Sequence, residues 1–119
     1  MGSEMCIRDR VLTDLLKVEG VDQTLLFHRH DGLVSSVVEE GFMPPVERIM
    51  GLINKAESTC YVASLGNMHE LWLESEQNIM LNRIDEFHYV VLLGFSGRIA
   101  RWRHAIDHNR AILQSLNLR

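Results

Sequence analysis

The stretch that decides the fold is VEGVDQTLLFHRHDGLVSSVV, residues 18–38. Two runs rich in apolar and β-branched residues, 23–29 and 33–38, flank the pair Asp31-Gly32. Asp-Gly is favoured in tight turns because both residues tolerate positive φ. The stretch therefore predicts a β-hairpin, and Gly20 before it predicts the end of a short preceding helix.

Outside this hairpin, helical and strand-like patterns alternate along the chain. Leucines at helical spacing precede it, and Pro44-Pro45 after it leads into an apolar stripe with three- and four-residue steps. That stripe predicts a second helix from about residue 46 to 64. The remaining elements are three strands at 67–76, 78–84 and 87–95, and a final helix at about 97–118 that Ser96 is expected to cap.

The last of the three strands should lie at the centre of the sheet. From Tyr89 to Phe95 it is apolar at nearly every position, which is typical of a strand buried on both faces. Short separators between the last three strands favour antiparallel pairing. The predicted fold is α+β, a five-stranded antiparallel sheet with helices on both faces, in the order α-β-β-α-β-β-β-α.

Composition limits the classes of function. The 119 residues carry a net charge of −4, with a basic end (98–119, five Arg and one Asp) and a more acidic remainder. The Arg side chains are expected to cover one face of the last helix, so we expect no nucleic-acid partner. No apolar run reaches 18 residues, which predicts no membrane insertion. Only Cys6 and Cys60 are present, outside any disulfide framework, which favours a cytoplasmic location.

The first residues have a different character. GSEMCIRD, residues 2–9, resembles one translated reading frame of a sequencing-library adapter. We therefore expect residues 1–10 to be an artefact that frays or extends the first helix by chance, without buried polar contacts. Residues 11–119 are expected to form a single domain.

Over residues 11–118 the chain resembles the roadblock / dynein light chain family. The resemblance lies in VEGVDQTLLFHRHDGLVSS, the long second helix, the hairpin ELWLES-QNIMLNRI and the final amphipathic helix. Two departures are a shortened first helix and FHRH, where bacterial relatives often have VDRD. The resemblance implies a profilin-like fold, no active site, no cofactor and no bound metal. Family members, including MglB-like proteins, regulate or scaffold Ras-like small GTPases.

The resemblance also implies a dimer with another copy or with a paralogous roadblock protein. In such dimers the third strands pair across a two-fold axis and the second helices lie side by side. The sequence agrees, because a bare apolar edge strand promotes aggregation and pairing with a symmetry mate would cover it. The expected interface residues are Leu52, Leu71, Trp72 and Leu73.

The second helix would then form a two-fold platform for the switch regions of a Ras-like GTPase. Differential affinity for the two nucleotide states would make the protein a regulator without chemistry of its own. By resemblance, the candidate contact residues on this helix are Arg48, Asn54, Lys55 and Glu57.

Other polar groups support chemistry only weakly. The pair His104 and His108 has helical metal-ligand spacing but lacks a third ligand, and His28 and His30 lie near the predicted hairpin tip. No signature of a nucleophile with its base is present. An alternative function is a profilin-like module that senses a small molecule, which requires a cavity with convergent polar groups.

Overall fold

A computed structural model describes residues 4–116 and residue 118. Its elements follow the predicted order and confirm the predicted fold class. They are α1 (Glu4–Leu16), β1 (Gln23–His28), β2 (Gly32–Val38), α2 (Val46–Val62), β3 (Glu70–Leu73), β4 (Asn78–Arg83), β5 (His88–Gly94) and α3 (Ile99–Ser115).

The five strands form one antiparallel sheet in the order β2-β1-β5-β4-β3. The prediction of a central β5 is confirmed, and every residue of that strand is buried. The predicted hairpin is β1–β2, and Gly32 at its turn has φ +93°. The hairpin contains a β-bulge. Leu26 pairs with Ser35 but Phe27 pairs with Leu33, so Val34 is an extra residue in β2.

Helices cover the two faces of the sheet unequally. One core joins α1 and α3 to the sheet around Leu12, Leu26, Val90 and Trp102, all of which are fully buried. The other core lies under α2 alone, which contributes Ile49 and Ile53 as its buried residues. The first face therefore carries two helices and the second carries one.

Three glycines hold the turn after α1 against the turn after β5. A Cβ on Gly94 would stand 1.8 Å from the carbonyl oxygen of Gly20, and one on Gly20 would stand 2.0 Å from that of Ser96. Gly20 and Gly97 also have positive φ, +88° and +89°, which L side chains rarely adopt. Trp102 Nε1 donates to the carbonyl of Glu19 at 3.0 Å beside this contact. The Glu19-Gly20 backbone is therefore fixed by close approach as well as by its turn.

Two predicted element ends are wrong. The third strand was expected at 67–76, but β3 covers only Glu70–Leu73, because the chain turns after Leu73 and Ser75 bonds the carbonyl of Gln77. Ser96 does not cap the last helix. The N-cap is Arg98, without a side-chain cap bond, because Gly97 must first make its left-handed turn.

Several residues of the adapter-like segment belong to α1, which begins at Glu4. Asp9 accepts a hydrogen bond from Ser35 Oγ at 3.1 Å, and this contact is exposed. Residues 1–3 lie outside the described residues, and the artefact origin of residues 1–10 stays a prediction. Among the described helices, none is long and apolar enough to cross a bilayer.

Candidate dimerisation and partner-binding surface

An apolar groove runs between α2 and the edge strand β3. Its volume is about 300 Å³. Leu52, Ala56 and Cys60 of α2 line one wall, and Leu71 and Leu73 of β3 line the other. Leu52 and Leu71 are half-buried and Leu73 is 39% exposed, so apolar surface remains open at this edge. Because the free energy falls when apolar surface is removed from water, the groove is suited to contact with a second apolar surface.

Trp72 lies on the opposite face of the sheet from Leu71 and Leu73. It pairs with Met80 of the α1/α3 core, and its Nε1 donates to Glu70 Oε2 at 3.0 Å. Glu70 in turn accepts from Arg103 of α3 at 3.0 Å. The structure therefore brings Leu52, Leu71 and Leu73 together and places Trp72 apart from them, although all four lie near the same edge.

The polar candidates on α2 divide between its two sides. Lys55 lines the groove beside Leu52, and Arg48 precedes Leu52 by one helical turn on that side. Asn54 is exposed and lies away from the groove, at half a turn from Leu52. Arg48, Asn54 and Lys55 are all exposed and therefore accessible to a partner.

Glu57 forms hydrogen bonds within the fold. Tyr89 Oη donates to its Oε2 at 2.6 Å, and Arg29 Nη2 donates to its Oε1 at 3.0 Å. Burial and then the Glu57 carboxylate raise the pKa of the Tyr89 phenol well above its ordinary value. Both carboxylate oxygens of Glu57 thus tie α2 to β5 and to the tip of the β1–β2 hairpin.

Two further clefts bear on the sensing alternative. One, of about 410 Å³, lies next to Glu57 and is lined by Arg29, Tyr61 and Arg83 among others. The other, of about 420 Å³, contains His28 and His88. Within residues 4–116 and 118, no three His, Cys, Asp or Glu side chains are arranged to hold a metal ion. His104 and His108 lie exposed on α3.

Solved structures resemble the chain over most of its length. The gliding protein MglB from Thermus thermophilus superposes with a TM-score of 0.81 at 16% identity, covering 96% of this chain and 90% of that one. A structure described as MglB with a tetrameric arrangement gives 0.82 at 16% identity, with the same coverage. The Roadblock/LC7 domain from Streptomyces avermitilis gives 0.65 at 11% identity, covering 90% of this chain and 98% of that one. The chain has the roadblock fold.

The roadblock fold is thus established by shape at low sequence identity, as the resemblance of residues 11–118 predicted. No protein-family model matches the sequence, and no curated protein matches it. At identities of 16% and 11%, these likenesses establish the arrangement of helices and strands and nothing beyond it. What the chain binds must be argued from its own surface.

Sequence reasoning missed the polar contacts that join distant regions of this roadblock fold. Arg29, Glu57 and Tyr89 meet although they are separated by 28 and 32 residues. His28 and His88 face each other because β1 pairs with β5. The apolar run of β5 indicated a central strand and the short separators indicated its pairing with β4, but nothing in the sequence indicated that β1 lies on its other side. These contacts could therefore not be predicted.

Proposed function

We propose that the chain forms a dimer through β3 and α2, and that this dimer binds a Ras-like small GTPase as a non-enzymatic regulator or scaffold in the cytoplasm. The observation that carries the proposal is the apolar groove between α2 and β3. Its apolar side chains Leu52 of α2 and Leu71 and Leu73 of β3 stay partly exposed, and β3 is a four-residue strand at the edge of the sheet.

A second copy suits this groove because the same apolar side chains would be contributed from both sides of a two-fold axis. Antiparallel pairing of two β3 strands would satisfy the unpaired edge groups and extend the sheet. The tetrameric arrangement described for one MglB structure supports self-association of this fold. A paralogous roadblock protein would use the same surface.

The GTPase partner follows from the resemblance to the roadblock family. On this chain, the accessible groups of α2 are Arg48, Asn54 and Lys55. Arg48 and Lys55 flank the groove, so two copies would bring four cations close to the dimer axis. Glu57 would take part mainly by holding α2 in place, since its oxygens bond Tyr89 and Arg29.

Sedimentation velocity tests the dimer. Leu73→Asp should convert the dimer into a folded monomer, because a charge would replace an apolar contact in the proposed β3–α2 interface. The matched control is Ile112→Asp on α3, where the side chain is 45% exposed and does not line the α2–β3 groove. A wild-type monomer at high micromolar concentration, or equal dissociation by both variants, would contradict the proposed interface.

Co-purification tests the partner. The dimer is mixed with a Ras-like GTPase from the same organism, loaded with GDP or with a non-hydrolysable GTP analogue. We expect one nucleotide state to bind more tightly, and Arg48→Glu with Lys55→Glu to weaken binding at least tenfold. Lys17→Glu, 74% exposed at the end of α1, is the control. Absence of binding in both states would refute the GTPase proposal and leave the dimer proposal standing.

A further inference from the structure

A polar cleft of about 410 Å³ lies between the C-terminal end of α2 and the sheet. Its volume falls within the range of small-molecule sites. Residues of α2 and of the loop that follows it form one wall, and Arg29 and Arg83 line it from the sheet. It shares one lining residue, Met68, with the apolar groove between α2 and β3.

Strand pairing places both arginines on the face of the sheet that α2 covers. Tyr89 of β5 pairs with Arg83 of β4 on one side and with Phe27 of β1 on the other, so these side chains share a face. Arg29 lies two residues beyond Phe27, and its N–H donates to the Phe87 carbonyl at 2.7 Å, which continues the pairing. Burial dominates the raised pKa of the Tyr89 hydroxyl, and the charges of both arginines act to lower it. Both guanidinium groups are therefore close enough to this hydroxyl to act on it.

One of the two arginines has no carboxylate partner. Arg29 Nη2 donates to Glu57 Oε1 at 3.0 Å. Arg83 donates from Nε to the Asp85 carbonyl at 3.0 Å and from Nη2 to the Glu86 carbonyl at 2.8 Å, and both acceptors are uncharged. Among the described residues, no carboxylate oxygen lies within 4.0 Å of the half-buried Arg83, and its Nη1 makes no hydrogen bond. The cleft therefore carries one positive charge that no described side chain neutralises.

Three more donors line the same cleft. They are the Tyr61 hydroxyl, the Ser64 hydroxyl and the Asn67 amide, all exposed and without a hydrogen bond to another described residue. The carboxylate in the lining, Glu57, already accepts a hydrogen bond on each of its oxygens. Met68 and the Tyr61 ring add apolar surface. The free groups of the cleft are thus a cation and neutral donors, which suit an anion.

We propose that this cleft binds a small organic acid with one carboxylate and a short apolar body, such as an aryl carboxylate. A guanidinium matches the planar geometry of a carboxylate, and charge-assisted hydrogen bonds are about twice as strong as neutral ones. A single negative charge balances Arg83, whereas a phosphate dianion would add a second negative charge beside Glu57. The site goes beyond the proposed function, since it would give this fold a ligand input that does not require a partner protein.

Benzoate and benzamide are matched probes, because they share the ring and a planar head group and differ in charge. Each is titrated at constant ionic strength into the uniformly ¹⁵N-labelled protein, while amide and arginine Nε–H resonances are recorded. Benzoate should give saturable shifts at Arg83, Ser64 and Asn67 with a dissociation constant on the order of 1 mM, and benzamide should bind about tenfold more weakly or worse. Equal affinity for the two probes would overturn the proposal, and so would an absence of saturable shifts with benzoate. Inorganic phosphate is the third probe, and tighter binding of phosphate than of benzoate would contradict a carboxylate site.

A matched pair of substitutions locates the site. Ser64→Asp adds a negative charge to the lining, and Ser58→Asp adds the same charge at an exposed position of α2 outside the lining. Ser64 has φ +57°, a conformation that Asp adopts more readily than most residues. Ser64→Asp should weaken benzoate binding about tenfold through repulsion, and Ser58→Asp should change it by less than about twofold. Equal effects of the two variants would exclude this cleft.

Arg83→Gln tests the charge itself. It removes the cation without a carboxylate partner and should abolish the saturable benzoate shifts, while a dispersed amide spectrum shows that the variant is folded. Unchanged benzoate affinity in the folded variant would refute the role of Arg83, and if the variant does not fold, the comparison of Ser64→Asp with Ser58→Asp still tests the site. The titration is repeated on Leu73→Asp, where affinity should be unchanged because the cleft lies within one copy. Loss of binding in that folded variant would contradict a site formed by a single chain.

Discussion

The two faces of the sheet differ in how completely their helices cover them. On one face, α1 and α3 together bury Leu12, Trp102 and Leu113 to 0% exposure. On the other, α2 alone buries Ile49 and Ile53 but leaves Leu52 half-buried above a groove.

We infer that this difference separates the residues that stabilise the fold from those that would take part in the proposed dimer. The face with two helices contains the bond from Trp102 to Glu19, which joins positions 83 residues apart. The face with one helix keeps apolar surface next to an open strand edge, which a second copy would cover in the proposed dimer. We therefore expect substitutions on the first face to act on stability at any concentration, and those on the second to depend on concentration.

The largest expected effect is that of Gly94→Ala on the face that carries α1 and α3. Its Cβ would lie 1.8 Å from the Gly20 carbonyl oxygen, so two backbones must separate. We expect a loss of ~3–5 kcal/mol in the free energy of unfolding, or failure to fold. The control is Gly51→Ala in α2, where a Cβ meets nothing within 4 Å. It should stabilise by about 0.5–1 kcal/mol, because alanine is the better helix former. Urea unfolding measures both, and equal effects would remove the contrast.

Trp102→Phe should have the next largest effect. It leaves a small cavity in the α1/α3 core and leaves the Glu19 carbonyl without its indole donor. Together these should cost about 2–3 kcal/mol in chemical denaturation, independent of protein concentration. A cost below that of a surface substitution would show that α3 adds little to this face.

Leu52→Ala sharpens the comparison on the face that α2 alone covers. In dilute protein the loss should be about 1 kcal/mol, because the side chain is only half-buried. At concentrations that favour the dimer the loss should grow, since the variant also weakens association. Ile112→Ala on α3 is the control and should show a small effect at every concentration. Thermal unfolding over a hundredfold range of concentration distinguishes the two.

Tyr89→Phe tests how α2 is held by the network beneath it. Removing the hydroxyl takes one donor from Glu57 and leaves Arg29 in place, so the expected cost is ~1 kcal/mol. Because the pKa of Tyr89 is raised in the folded state, its contribution is complete below about pH 10, the unfolded value. It is lost as the pH rises through the folded pKa. Unfolding at pH 7 and above pH 10 should therefore show a smaller difference between the two proteins in alkali.

Asp85→Asn should have the smallest effect, about 0.5–1 kcal/mol at pH 7, because the carboxylate is 39% exposed and solvent weakens its interaction with His88. The lowered folded pKa means that the contribution is present above about pH 4, the unfolded value, and is lost as the pH falls through the folded pKa. Acid unfolding should narrow the gap between variant and wild type. A gap that widens in acid would contradict a stabilising contact between the Asp85 carboxylate and His88.

The sequence predicted the features of this fold that depend on local pattern. The Asp31-Gly32 turn, the stripe of α2 and the wholly apolar β5 led to the right elements, because periodicity reports which side of an element is buried. The length of β3 could not be predicted, since the apolar run Leu71-Trp72-Leu73 indicates a strand but does not mark its ends, and the chain turns after Leu73. The Ser96 cap failed for a tertiary reason, the close approach of Gly97 to Glu19.

The sequence placed the four expected interface residues near one edge of the fold but did not give their orientation, and their role in a dimer stays a prediction. Leu52, Leu71 and Leu73 line one groove, but Trp72 faces the other side because strand side chains alternate. Glu57 looked like a surface residue of α2, and its internal role depends on Tyr89, which only the packing of β5 under α2 brings near. Pairings of this kind require the sheet order, which one sequence does not reveal.

The interlocked glycines have a consequence for how the molecule opens. Because Gly20, Gly94 and Gly97 meet backbone to backbone, no side chain can rotate aside to let either turn move away from the other by itself. The first and last helices should therefore detach together, as one cooperative unit. Amide protons of Leu12 and Ile106 should then exchange with deuterium at matching rates, while those at the far end of α2 exchange sooner.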